Sequence, residues 1–183
     1  MTNKIKFTIT TAWIIFTRSY DAYCTNQFTP NLEKESNPIV TLLGMTWTPL
    51  LITIGLLTIY TIYVLYIGIF KPKNLLPTES GYTFCQITAF TYLGHKDHWT
   101  AIFYKIPKDI NRFNHWMGQT LPQCLSFAGL VSTMMWLLIH HSDYYKSIHS
   151  ATMIYIFLIS GCIVIIYSWN KKIFKQYLSS NSK

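Results

Sequence analysis

The chain has 183 residues, 50% of them hydrophobic and only 12% charged, with a mean hydropathy of +0.23 and a formal net charge of +8. A soluble domain carries about 25% charged residues, so the deficit points to a bilayer protein. The positive balance comes without a Lys/Arg-rich run, a glycine-rich phosphate loop or a nucleic-acid motif, which argues against nucleic acid as the partner class.

In chain order, the first candidate span covers residues 7–28. Lys4 and Lys6 precede it in the manner of a signal-peptide n-region. However, threonines interrupt the apolar run, and Arg18 and Asp21 occupy the place of a small-residue cleavage site, so the segment is expected to stay on the chain. Ionisable residues within a span cost about 2.5–3.5 kcal/mol each at the bilayer centre and usually face a bundle interior. Arg18 and Asp21 stand at i and i+3, and Thr25 follows one turn later, so the three share a helical face and the charges can pair.

The next segment, NLEKESNP, ends in Asn37-Pro38, a dipeptide that disfavours helix at Asn37 and makes a natural boundary. Asp21-x-x-x-Thr25 followed by Glu35-x-Asn37-Pro38 resembles a D-x-x-x-T … E-x-N-P pattern of an uncharacterised family of small polytopic prokaryotic membrane proteins, over about residues 10–70. The resemblance brings no known activity. It implies a first helix whose Asp21 meets an extracytoplasmic Glu35–Asn37 pair, giving a structural polar cluster of Arg18, Asp21, Thr25, Glu35 and Asn37.

The clearest span, residues 49–70, has 22 residues without a charge, against the roughly 20 needed to cross the hydrocarbon. Pro49 suits a first helical turn, and Lys71-Pro72-Lys73 closes the segment. A third span is expected over residues 121–141. A fourth covers residues 151–169, where Trp169 and Lys171-Lys172 form an interfacial anchor. The fold class is therefore all-α: one domain, a polytopic bundle of four spans.

Between spans two and three, residues 71–120 are too many for a mere connector. Their mixture of aromatics with Lys and His suits interfacial helices, and Pro107 and Gly118 punctuate the stretch. His95, His98, Trp99, Lys105 and Lys108 are expected on a surface facing lipid or a protein partner, together with Arg112, His115 and Trp116.

Charge placement fixes the orientation. With both termini cytoplasmic, residues 1–6, 71–120 and 170–183 hold twelve of the fifteen basic residues, a positive-inside bias that three spans would blur. The expected location is a prokaryotic inner or plasma membrane. The cysteines, Cys24, Cys85, Cys124 and Cys162, form no C-x-x-C and read as free thiols.

Three function classes follow. The leading one is a non-enzymatic integral membrane subunit or accessory protein that presents residues 71–120 to a cytoplasmic partner or the bilayer surface. The second is a metal-dependent hydrolase: His140, His141, Asp143 and His149 crowd one short outer loop, with Asp21 and Glu35 on the same side, and zinc would be the metal. The third is an oligomeric channel using the Thr- and Tyr-rich second span, whose glycines admit close helix contacts.

Overall fold

The computed structural model describes residues 2–32, 40 and 44–181; Glu35 and Asn37, expected in the polar cluster, lie outside the described residues. The helices are α1 (Asn3–Phe28), α2 (Trp47–Phe70), α3 (Phe84–Leu93), α4 (Ile110–His141), α5 (Asp143–Ile148) and α6 (Ala151–Asn181), with a 3-10 turn at Trp99–Phe103. No strand occurs among the described residues. Among the described residues, three helices are long and apolar enough to cross a membrane: 24 residues of α2, 32 of α4 and 30 of α6. Helix α1 has 26 residues, about 39 Å at 1.5 Å per residue, but its composition is diluted by Lys4, Lys6, Arg18 and Asp21.

Directions follow from the side-chain contacts. Phe7 meets Tyr66 and Phe70, and Trp47 Nε1 donates to the Pro30 carbonyl at 2.6 Å, so α1 and α2 are antiparallel. Trp13 Nε1 donates to Ser126 O at 3.1 Å and Arg18 Nη2 to Ser132 Oγ at 3.1 Å, so α1 and α4 are parallel. The short turn through α5 sends α6 back along α4, with Phe127 against Phe157. The start of α1, residues 71–109 and the end of α6 therefore share one end of the bundle. That end carries Lys4, Lys6, Lys71, Lys73 and Lys171, and is called the basic end below.

Helix α4 is the mast: α1, α2, α3, α5 and α6 all pack on it. Its three long neighbours approach at glycines. A Cβ placed on Gly118 would lie 2.2 Å from the Val64 carbonyl oxygen, and one on Gly129 would lie 2.3 Å from Thr17 Oγ1. A Cβ on Gly161 of α6 would lie 2.2 Å from the Phe127 ring. Lipid tails are as apolar as leucine, so helices in a bilayer associate by such close backbone packing and by hydrogen bonds. At the first crossing Gln119 Nε2 also donates to Gly68 O at 3.0 Å.

Helix α4 begins eleven residues before the span expected from residue 121. Asp109 is the reason: its carboxylate accepts from Arg112 N at 3.0 Å and caps the helix. The early start corrects two expected surface residues, since Arg112 and His115 are both buried. Arg112 Nε donates to Phe90 O at 3.0 Å, Nη2 donates to Leu75 O, and the guanidinium lies 4.3 Å from the Phe90 ring centroid. It staples the chain before α3, and α3 itself, to α4.

Helix α3 has a Thr83–Gln86 capping box and ends at Gly94, whose φ of 85° favours glycine. It is packed between α4 and α6, with Ile87, Ala89, Thr91 and Leu93 buried. The last third of α6 explains why that helix runs past Trp169. Buried Tyr177 accepts from Tyr82 N and donates to Glu79 O, both at 3.0 Å. Phe174 meets Phe84 edge-on.

Replacing Gly118 with Ala should lower the thermal midpoint of the detergent-solubilised protein, by roughly 1–3 kcal/mol of stability, because the methyl meets backbone rather than a movable side chain. Gly55, with nothing within 4 Å of its would-be Cβ, is the matched control, and Gly55→Ala should leave the midpoint level or raise it. Equal midpoints for Gly118→Ala and wild type would contradict the crossing.

Candidate functional site

Opposite the basic end, α1, α2, α4 and α6 enclose a partly open cavity of about 230 Å³. The parallel register of α1 and α4 builds its polar wall. Arg18 Nη1 stands 3.5 Å from Asp21 Oδ2, while Trp136 Nε1 donates to Asp21 Oδ1 at 2.8 Å. Ser132, which receives the Arg18 bond, passes its own hydroxyl proton to Gly129 O at 3.3 Å. Asp21 thus has a cation and a neutral donor, which lowers the cost of holding a carboxylate in a partly buried site.

Three of the expected cluster residues, Arg18, Asp21 and Thr25, line this cavity together. Its remaining polar rim is less satisfied. Thr29 is 94% buried and its hydroxyl has no hydrogen-bond partner, and the same holds for Arg18 Nε and His149 Nδ1. The opposite walls are apolar, with Trp47, Leu50 and Ile54 from α2 and Ile154 and Leu158 from α6.

The outer histidines do not gather. His140 Nδ1 is 2.7 Å from Trp136 O, His141 and Asp143 are exposed, and only His149 reaches the cavity. Among the described residues no three His, Cys, Asp or Glu side chains form a metal-binding group.

At the basic end the surface residues divide. His95, His98, Trp99, Lys105 and Lys108 are exposed as expected, whereas Trp116 is half-buried against Tyr92 with ring centroids 5.3 Å apart. Asp97 pins this segment: Lys105 Nζ approaches its Oδ2 at 2.5 Å, His95 Nε2 at 3.4 Å, and His98 N donates to Oδ1 at 2.8 Å. The Lys105 bond, followed by the His98 amide, holds the Asp97 carboxyl below its usual range, and Lys105 is raised in turn by Asp97. Around the pin Phe103, Tyr104, Ile106 and Ile110 project, Ile106 with 88% of its surface exposed.

No family model, curated protein or solved structure matches the chain.

Ser132 and Trp136, the α4 partners of Arg18 and Asp21, are absent from the sequence reading. The available signal is their i, i+4 spacing in an apolar span beside another span that carries charges.

Two outcomes test this geometry. A double-mutant cycle of Asp21→Ala and Trp136→Phe should return a coupling energy of about 0.5–2 kcal/mol, in the range of intramembrane hydrogen bonds. Simple additivity would mean that the two side chains do not communicate. For the Asp97 pin, a lowered carboxyl pKa contributes protection above the unfolded value, lost as pH falls through the folded one. The raised Lys105 pKa contributes protection below its unfolded value, lost as pH rises through its folded one. Intrinsic-rate-corrected amide protection of residues 98–105 should therefore be flat from about pH 5 to 9, and weaker throughout in Asp97→Asn. A wild-type fall centred near neutral pH would assign the pin to a histidine instead.

Proposed function

We propose that the protein is a non-enzymatic integral membrane accessory subunit with four spans, α1 being the fourth. Both termini face the cytoplasm of a prokaryotic inner or plasma membrane, and residues 95–110 lie in the cytoplasmic interface of the bilayer. The observation that carries this reading is the exposed apolar group of Trp99, Phe103, Tyr104, Ile106 and Ile110, interleaved with Lys105 and Lys108, at the end where α2 finishes and α4 begins. Apolar side chains beside lysines at a helix end suit the boundary between acyl chains and anionic headgroups.

The use of Asp21 supports a structural role for the first helix, since its oxygens face Arg18 and Trp136. The likeness of Asp21-x-x-x-Thr25 to the small polytopic family supports the same reading.

A variant retaining Trp99 as its sole tryptophan, reconstituted in vesicles containing brominated phospholipid, should show fluorescence quenched several-fold. Phe103→Ser with Ile106→Ser should reduce that quenching. An unquenched Trp99 would contradict the interfacial placement and favour a surface for a cytoplasmic protein.

A further inference from the structure

The cavity opposite the basic end has more hydrogen-bonding capacity than the protein uses. Arg18 Nε is a donor only, so its missing partner must be an acceptor. Thr29 Oγ1 and His149 Nδ1 are also unpartnered, and both residues line the same space. A buried polar group left unmade costs about 1–3 kcal/mol, so three at one cavity suggest an occupant that supplies acceptors.

The walls say what else that occupant carries. Helices α2 and α6 face each other across the cavity without forming a packed interface, because α6 packs on α4 and α3. The apolar outer surface of α6 is exposed along the bundle, with Ile156, Phe157 and Ile159 between 56% and 60% accessible. The cavity is partly open, and where α6 stands unpacked against its neighbours across it, that opening would meet hydrocarbon in a bilayer. A volume of about 230 Å³ suits a headgroup and its first glycerol atoms, with the chains left outside.

We propose that this cavity is a binding site for the phosphodiester headgroup of a phospholipid. In the structure these polar atoms are turned away from the open space, so binding rotates Arg18 and Thr29 inward; the phosphate then accepts from Arg18 Nε and from the Thr29 hydroxyl, and the acyl chains leave between α2 and α6. The Arg18–Asp21 pair is close to neutral as a unit. Selection would then rest on hydrogen bonds and on the sideways opening more than on net charge. This inference rests on α1 lying in the membrane, and it is independent of what residues 95–110 contact.

The test is native mass spectrometry of the full-length protein. One sample is released from nanodiscs of defined phosphatidylglycerol and phosphatidylethanolamine; a parallel sample is held in detergent with inorganic phosphate alone. The wild type should retain one phospholipid. Thr29→Val should lower that occupancy roughly ten-fold by removing one phosphate hydrogen bond. Ala151→Phe, which fills the cavity from α6 while leaving every polar group in place, should abolish it with the thermal midpoint unchanged. Because neither variant touches the Arg18–Asp21 pair, loss of lipid is separable from loss of fold. Retention of the same lipid by Ala151→Phe would place it on the outside of the bundle and overturn the proposal. Binding of inorganic phosphate as tight as that of phospholipid would overturn the lipid source. A wild type carrying neither would mean that water alone fills the cavity, and would overturn the proposal as well.

Discussion

Everything in this bundle depends on how closely α4 lets its neighbours approach. At Gly118 the missing side chain makes room for the Val64 carbonyl, and at Gly129 for the Thr17 hydroxyl. Between these two contacts the chain advances eleven residues, about three whole turns of helix, so α1 and α2 meet nearly the same face of one mast at different heights. A methyl group at either point would push a whole helix outward. Without such contacts a bilayer offers little reason for one apolar helix to prefer another over lipid.

The Gly129 contact has a chemical consequence. It sets the register in which Ser132 and Trp136 arrive opposite Arg18 and Asp21, one and two turns along the same face of α4. Two charges that would each be costly in hydrocarbon become members of a hydrogen-bonded group. At the basic end a different pair of residues plays the organising part. Arg112 ties the segment around Leu75 and the end of α3 to α4, and Tyr177 ties Glu79 and Tyr82 to α6. The chain between α2 and α4 is thus anchored from both sides before it reaches the exposed residues around Ile106.

How much of this is legible in the sequence varies with the kind of interaction. Residues 49–70 and 151–169 declare themselves by hydropathy, because a span must be apolar over about 20 residues. The backward extension of α4 to Ile110 is hidden, since Asn111, Arg112, Asn114 and His115 make that stretch look like a loop; Asp109 as a cap is the one readable sign. Arg112 reads as a surface cation because its partners are backbone carbonyls, which leave no mark in residue identities. Arg18, Asp21 and Thr25 are legible as one face from spacing alone, whereas the cavity they line is not, because it needs Trp47, Leu50 and Leu158 brought in from helices far along the chain. The histidines around the end of α4 are spread apart for a related reason. Nearness in sequence leaves His140 turned to the Trp136 carbonyl while His149 points into the cavity.

The central claim is that α1 crosses the membrane, with its polar face held against α4. The most direct measurement is labelling of single-cysteine variants in intact cells with a membrane-impermeant maleimide, in a background with the native cysteines replaced. Thr2→Cys and Ser80→Cys should react only after permeabilisation, while Asn31→Cys and Ser147→Cys react in intact cells. Thr2→Cys and Asn31→Cys reacting from the same side would place α1 along the membrane surface and contradict the account.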